Sequence, residues 1–251
     1  MSIVVTDDKH YKNIADKLRA RTGLTNKIKP ENMAYYVDIA YQRGQSSTWD
    51  EFWDSMQGEG RRSNYTGAFE GIGWTEVTLK PKYNMRKIQY ASRMFRMCRV
   101  EQSFDDYFWN MGIEISFSQC VQMDSCFASS FWTKIDYLET ELCDNLEYLF
   151  SGCTKLTKVG LYLKNDGSQN LYNTFNKCSA LTDVSIYYGK IGFDGVDFSG
   201  CPNLTVQSLV NIFNALMTSS SSPIIKIGST NLAKLSAEQK AIATNKGWKL
   251  K

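Results

Sequence analysis

The chain has 251 residues, 43% of them apolar, and a formal net charge of +3. That is enough apolar material for a substantial core, read as one elongated domain with a smaller module, while the charge is too small to point to any class of partner. No window reaches the roughly 18 consecutive apolar residues of a membrane span, and residues 1–12 lack the apolar core of a signal peptide. We therefore expect no membrane association, and synthesis in the cytoplasm without export through a signal of its own.

The first 45 residues read as two helices. Thr6 can cap a helix with Tyr11, Ile14, Ala15 and Leu18 on one face, closed by Gly23. Pro30 then opens a second, with Met33, Val37, Ala40 and Tyr41, ended by Gly44. Neither can bury its stripe alone: they pack on each other, on the next segment or on another subunit, and residues 1–45 are expected to be an N-terminal helical attachment module. Gln45, Ser46, Ser47 and Thr48 make a polar linker, followed by Trp49, Phe52, Trp53, Tyr65, Phe69 and Trp74. Residues 46–90 are expected to be linker and N-terminal cap, covering the apolar end of the segment from residue 91 onward. The basic stretch Arg86, Lys87, Arg93, Arg96, Arg99 has no accompanying nucleic-acid signature and reads as a solvated face, so no nucleic-acid partner is expected.

A repeated phrase dominates the middle of the chain. Phe-x-x-Cys-x-x-Leu-x-x-Val-x-(Leu/Ile) occurs at Phe150, Cys153, Leu156, Val159, Leu161 and again at Phe175, Cys178, Leu181, Val184, Ile186. Shorter copies start at Phe95, Cys98 and at Phe198, Cys201, Leu204. Phe127, Phe150, Phe175 and Phe198 are 23, 25 and 23 residues apart, a period that predicts a solenoid over 91–205, each coil burying its apolar edge on a neighbour. Cys98, Cys153, Cys178 and Cys201 share one slot, with Ser130 in that slot after Phe127, so a buried ladder of thiols is expected rather than disulfides or a metal site. Val159, Leu161 and Leu163 alternate with Gly160 and Tyr162, and Val184 and Ile186 with Ser185 and Tyr187. This predicts strands presenting Lys158, Tyr162, Asp183 and Tyr187 outward, with Tyr162 and Tyr187 opposite each other roughly 5 Å apart.

From Phe95 to Phe127 is 32 residues, nine more than the period, and the excess falls between Cys98 and Ile113. It contains Phe104, Asp105, Asp106, Tyr107, Phe108 and Trp109. Two readings remain open: a projecting loop whose aromatics stack on sugars or anchor a partner, or aromatics folded back over the first coil. Candidate ligand-binding residues are thus Tyr107, Phe108 and Trp109, with Tyr162 and Tyr187 on the strand face. Residues 206–251 are expected to be a C-terminal cap. They hold a helical run through Leu209, Val210, Phe213, Leu216 and Met217, a strand through Ile224, Ile225 and Ile227, and a capping-box helix from Ser236 to about Asn245 sealed by Trp248.

No catalytic, cofactor or metal residues are assigned. His10 is the sole histidine; Gly71-Ile-Gly73 lacks the third glycine of a nucleotide loop, and the adjacent Asp105 and Asp106 would diverge on a strand.

The phrase Phe-x-x-Cys-x-x-Leu-x-x-Val-x-Ile resembles the leucine-rich repeats of bacterial surface antigens, which also occur in phage and prophage tail-associated proteins. The opening, Tyr11 to Gly23 followed by Pro30-Glu-Asn-Met33, is similar to the N-terminal module of tail-associated proteins of phages of Gram-positive hosts. The resemblance implies an α/β fold: a short leucine-rich-repeat-like solenoid with an N-terminal helical module and capping units at both ends. It also implies a non-enzymatic phage or prophage tail-tip or baseplate-associated adhesin, located on the virion and assembled in the bacterial cytoplasm. Its partners would be other virion or tail proteins through residues 1–45, and a bacterial surface glycan or protein. A homo-oligomer, a trimer, would match three-fold appendages. The alternatives are a virion decoration protein without host ligand, or a cytosolic protein-interaction scaffold.

Overall fold

The computed structural model describes residues 65–67, 70, 71, 84, 85, 88–110 and 114–251. The two helices expected within 1–45, and most of the cap expected over 46–90, lie outside the described residues. In chain order the described elements are β1 (Asn84–Met85), α1 (Phe104–Asn110), β2 (Glu114–Ile115), β3 (Lys134–Glu139), β4 (Lys158–Tyr162), β5 (Asp183–Tyr188) and β6 (Val196–Asp197). They continue with α2 (Val206–Ala215), β7 (Ile224–Lys226), α3 (Ser229–Leu232), α4 (Ala237–Thr244) and β8 (Lys249–Leu250). Among the described residues all strand pairings are parallel, in three separate sheets ordered β1-β2, β3-β4-β5 and β6-β7-β8.

This small α/β fold corrects the expected leucine-rich-repeat-like solenoid, which would lay one strand per coil into a single continuous sheet. Side chains take the edges of the central sheet instead. On one edge α1 packs against both β2 and β3, and Asp105 Oδ2 accepts the main-chain N–H of Asp136 at 2.6 Å. On the other edge α2 packs against β5, and Ser208 Oγ accepts the Val184 N–H at 2.8 Å. An edge N–H already bonded to a helix side chain has nothing to offer another strand, so pairing stops there.

The repeated phrase nevertheless stacks in register. The rings of Phe95, Phe127, Phe150, Phe175 and Phe198 form a buried column with successive centroids 5.6, 5.7, 5.8 and 4.7 Å apart. Beside it the turn segments pair along a second ladder: isolated parallel bridges link Tyr90 to Gln122, Gln122 to Asn145 and Asn145 to Asn170. There Phe127 N–H donates to the Leu149 carbonyl at 3.0 Å and Phe150 N–H to that of Thr174 at 3.0 Å. All seven cysteines are buried free thiols, and three of them close this ladder. Cys153 Sγ donates to the Phe127 carbonyl at 3.0 Å, Cys178 to that of Phe150 at 3.1 Å and Cys201 to that of Phe175 at 3.3 Å. Ser130 holds the same slot, its hydroxyl 3.6 Å from Cys153 Sγ. A second thiol column, Cys120 and Cys143, lies on another side of the core, with Cys143 Sγ donating to the Cys120 carbonyl at 2.9 Å.

The C-terminal elements follow their local signals. Thr205 caps α2, its hydroxyl accepting the Ser208 N–H at 3.1 Å, and Ser236 and Gln239 form the reciprocal capping box that starts α4. At the other end of α2, Lys246 Nζ donates to the carbonyls of Phe213, Asn214 and Leu216 at 3.0, 2.7 and 2.9 Å, a cation on the negative end of the helix.

Candidate ligand-binding face

The outward face of β3-β4-β5 carries a cluster of exposed aromatic rings. Along β4, Val159 and Leu161 point into the core, so Lys158, Gly160 and Tyr162 face outward. The register places Lys134 beside Lys158 and Lys158 beside Asp183. Here the Asp136 carboxylate sits between two ammonium groups, 3.4 Å from Lys134 Nζ and 2.9 Å from Lys158 Nζ. Burial works to raise the Asp136 pKa, but the hydrogen bond and charge of Lys158, with the charge of Lys134, hold it below the ordinary carboxylate value. One end of the face is thus a compensated charge row.

The other end is aromatic. A register shift between Ile135 and Leu138 places an extra residue in β3, turning Asp136 and Tyr137 both outward, and Tyr137 is 63% exposed. Tyr187 on β5 reaches across β4 and stacks on Tyr137, centroids 5.5 Å apart and planes 22° apart. It can do so because the residue beneath is Gly160, where a Cβ would meet Tyr187 Cε2 at 2.4 Å and the Asp136 carbonyl oxygen at 2.1 Å. Tyr162 completes the cluster, its ring 5.5 Å from that of Tyr187 and tilted by 41°. The two residues are expected opposite each other on paired strands, but a second shift after Leu161 pairs the Tyr162 backbone with Tyr188, so Tyr162 and Tyr187 meet through their rings.

Tyr187 and Tyr188 are 44% and 53% exposed and also line an open cleft of about 410 Å³. Its other walls come from Asn165, from Gly189 and Lys190 beyond β5, and from Asn211 and Asn214 on α2. Gly189 turns the chain there with φ +86°, and a Cβ on it would strike the Leu163 carbonyl oxygen at 2.1 Å.

The segment between Cys98 and β2 forms helix α1 and folds inward. Phe108 is buried against Phe95 and Trp132, and Tyr107 packs on Trp132 with centroids 5.4 Å apart. Only Trp109 of the three candidates faces solvent, at 84% exposure. The structure therefore brings Tyr162 and Tyr187 together, places Tyr107 and Phe108 in the core, and leaves Trp109 exposed on α1.

No family model, curated protein or solved structure matches this chain.

The resemblance drawn from the repeated phrase therefore stands on those residues alone, and the geometry carries the rest. Sequence reasoning missed Tyr137 and Tyr188. Tyr188 was hidden by the register shift, and Tyr137 by the extra residue in β3, which breaks the alternation that identifies outward positions. Their one readable signal was the recurrence of tyrosine near the end of each of the three strands. Of the basic stretch, Arg96 and Arg93 reach Glu70 at 3.0 and 3.8 Å. Among the described residues no three His, Cys, Asp or Glu side chains converge as metal ligands would. The chemistry on offer at the tyrosine face is ring stacking and hydrogen bonding.

Proposed function

We propose that the protein is a non-catalytic adhesin that holds a bacterial surface glycan on the tyrosine face of β3-β4-β5. The observation that carries this reading is the exposed stack of Tyr137 on Tyr187 with Tyr162 beside it. Rings fixed against one another lose little freedom on binding, and they offer flat apolar faces with hydroxyl tips, which suits the C–H faces and hydroxyls of sugar rings. Following the sequence resemblance, we place it on a phage or prophage tail tip or baseplate, joined to other tail proteins through residues 1–45.

The test is binding of labelled full-length protein to intact Gram-positive and Gram-negative cells and to their isolated wall polysaccharides. Saturable binding to a subset is expected, competed by the matching polysaccharide and weakened about tenfold or more in Tyr137→Ala/Tyr187→Ala. That variant should melt close to the parent because both rings are exposed. Absence of binding across a panel that includes the natural host would replace this reading with a decoration role lacking a host ligand.

A further inference from the structure

We propose that the cleft between the end of β5 and α2 is a subsite for an acidic saccharide unit, whose carboxylate or phosphate pairs with the Lys190 ammonium while its ring packs on Tyr187 and Tyr188. This rests on the glycan reading of the tyrosine face and specifies its ligand class.

Lys134, Lys158, Lys164 and Lys226 each have a carboxylate partner within ion-pair distance. Lys190, on the cleft wall, has none among the described residues, and no carboxylate lines the cleft. A second cation stands close by. Lys246 is held below the ordinary lysine value, first by burial and then by the charge of Lys190. Its ammonium is already engaged by three carbonyls at the end of α2, so Lys190 is the one left to meet an anion. Two like charges beside an open cleft, with no carboxylate among its described lining residues, favour an anionic occupant.

The cleft is also lined by side-chain amides. The side-chain amides of Asn165 and Asn214 make no protein hydrogen bonds among the described residues. Asn211 Oδ1 accepts from Gln207 Nε2 at 3.0 Å, which leaves its NH₂ group to donate. Amides that both donate and accept, beside tyrosine rings, match hydroxyl groups around a pyranose. A volume of about 410 Å³ is within the range of small-ligand sites. Because Tyr187 belongs to both the cleft and the exposed stack, a polymer lying on the tyrosine face would run directly into the cleft.

The test uses immobilised full-length protein and three soluble probes: polyglucuronate, polyribitol phosphate and neutral dextran, each at about 50 and 500 mM salt. At least one acidic polymer should bind at low salt and lose affinity at high salt, and the one preferred identifies carboxylate or phosphate as the recognised group. Lys190→Gln should weaken that binding at least about tenfold and flatten its salt dependence, and Lys190→Arg should restore it. Dextran binding equal to the acidic polymers, or unchanged binding by Lys190→Gln while Tyr137→Ala/Tyr187→Ala loses it, overturns the acidic subsite and spares the tyrosine face. If no polymer binds and cell binding survives the double tyrosine substitution, both readings fall.

Discussion

Asp105 Oδ2 accepts the main-chain N–H of Asp136 at 2.6 Å, so a side-chain carboxylate stands where a neighbouring strand would dock on β3. Burial raises the Asp105 pKa above its ordinary 3.8, with the nearby Asp136 charge adding to the effect against the hydrogen bond from Asp136 N–H. With the folded value raised, stability is fully present below pH 3.8 and is lost as pH rises through the folded value. Asp105→Asn keeps an acceptor for the N–H and removes the ionisation. It should melt at a higher temperature than the parent at pH 7, with the gap closing as the pH is lowered. Parallel melting curves at every pH would refute this account.

A Cβ on Gly160 would stand 2.4 Å from Tyr187 Cε2 and 2.1 Å from the Asp136 carbonyl oxygen. Gly160→Ala puts a methyl group into that space, and the displaced backbone should cost about 1–3 kcal/mol in denaturant unfolding. The Tyr137–Tyr187 stack should be disturbed as well, seen as a changed near-ultraviolet circular dichroism signal. A variant with parental stability and spectrum would show that the strands yield at no cost.

The thiol columns predict chemical silence. Burial pushes the Cys153 thiol up to about 11 and holds Cys126 well above its ordinary value. Thiolate is therefore scarce at those two sites at pH 8; the hydrogen bond with Cys143 shifts Cys120 down instead, and there burial alone keeps reagents from the sulfur. Folded protein should react slowly with Ellman's reagent, and all seven cysteines should react at once in concentrated guanidinium chloride. Rapid titration of one or more thiols in the folded state would contradict the packing.

Phe108 and Trp109 are neighbours with opposite environments, 2% and 84% exposed. Phe108→Ala should destabilise the fold by about 3–5 kcal/mol through the cavity it leaves. Trp109→Ala should stay within about 0.5 kcal/mol of the parent. Similar costs for the two would mean that α1 does not sit with Phe108 inward.

The phenylalanine repeat was legible as a period of 23 to 25 residues, and its rings do form one buried column, but the solenoid read from that period was wrong. The capping-box helix at Ser236 was legible because its signal is local. The sheet organisation was not. Whether strands from successive units join depends on what reaches their edges, and Asp105 and Ser208 come from residues 31 and 24 positions away from the N–H groups they occupy. No periodicity marks them. The candidate face was half legible: alternation found Tyr162 and Tyr187, while Tyr137 and Tyr188 depended on register shifts that the residue pattern does not record. The inward turn of α1 was one of two open readings, and it follows from helical spacing, which puts Phe104, Tyr107 and Phe108 on one side.

On β4, neighbouring residues serve separate masters: Val159 and Leu161 belong to the interior, while Lys158 and Tyr162 belong to the outside. Outer positions can therefore drift under selection without disturbing the phenylalanine column that keeps the molecule folded. Tyrosines and lysines on this face can be exchanged one at a time, each intermediate still folded. The one outer position denied that freedom is Gly160, whose missing side chain lets residues of the two flanking strands meet.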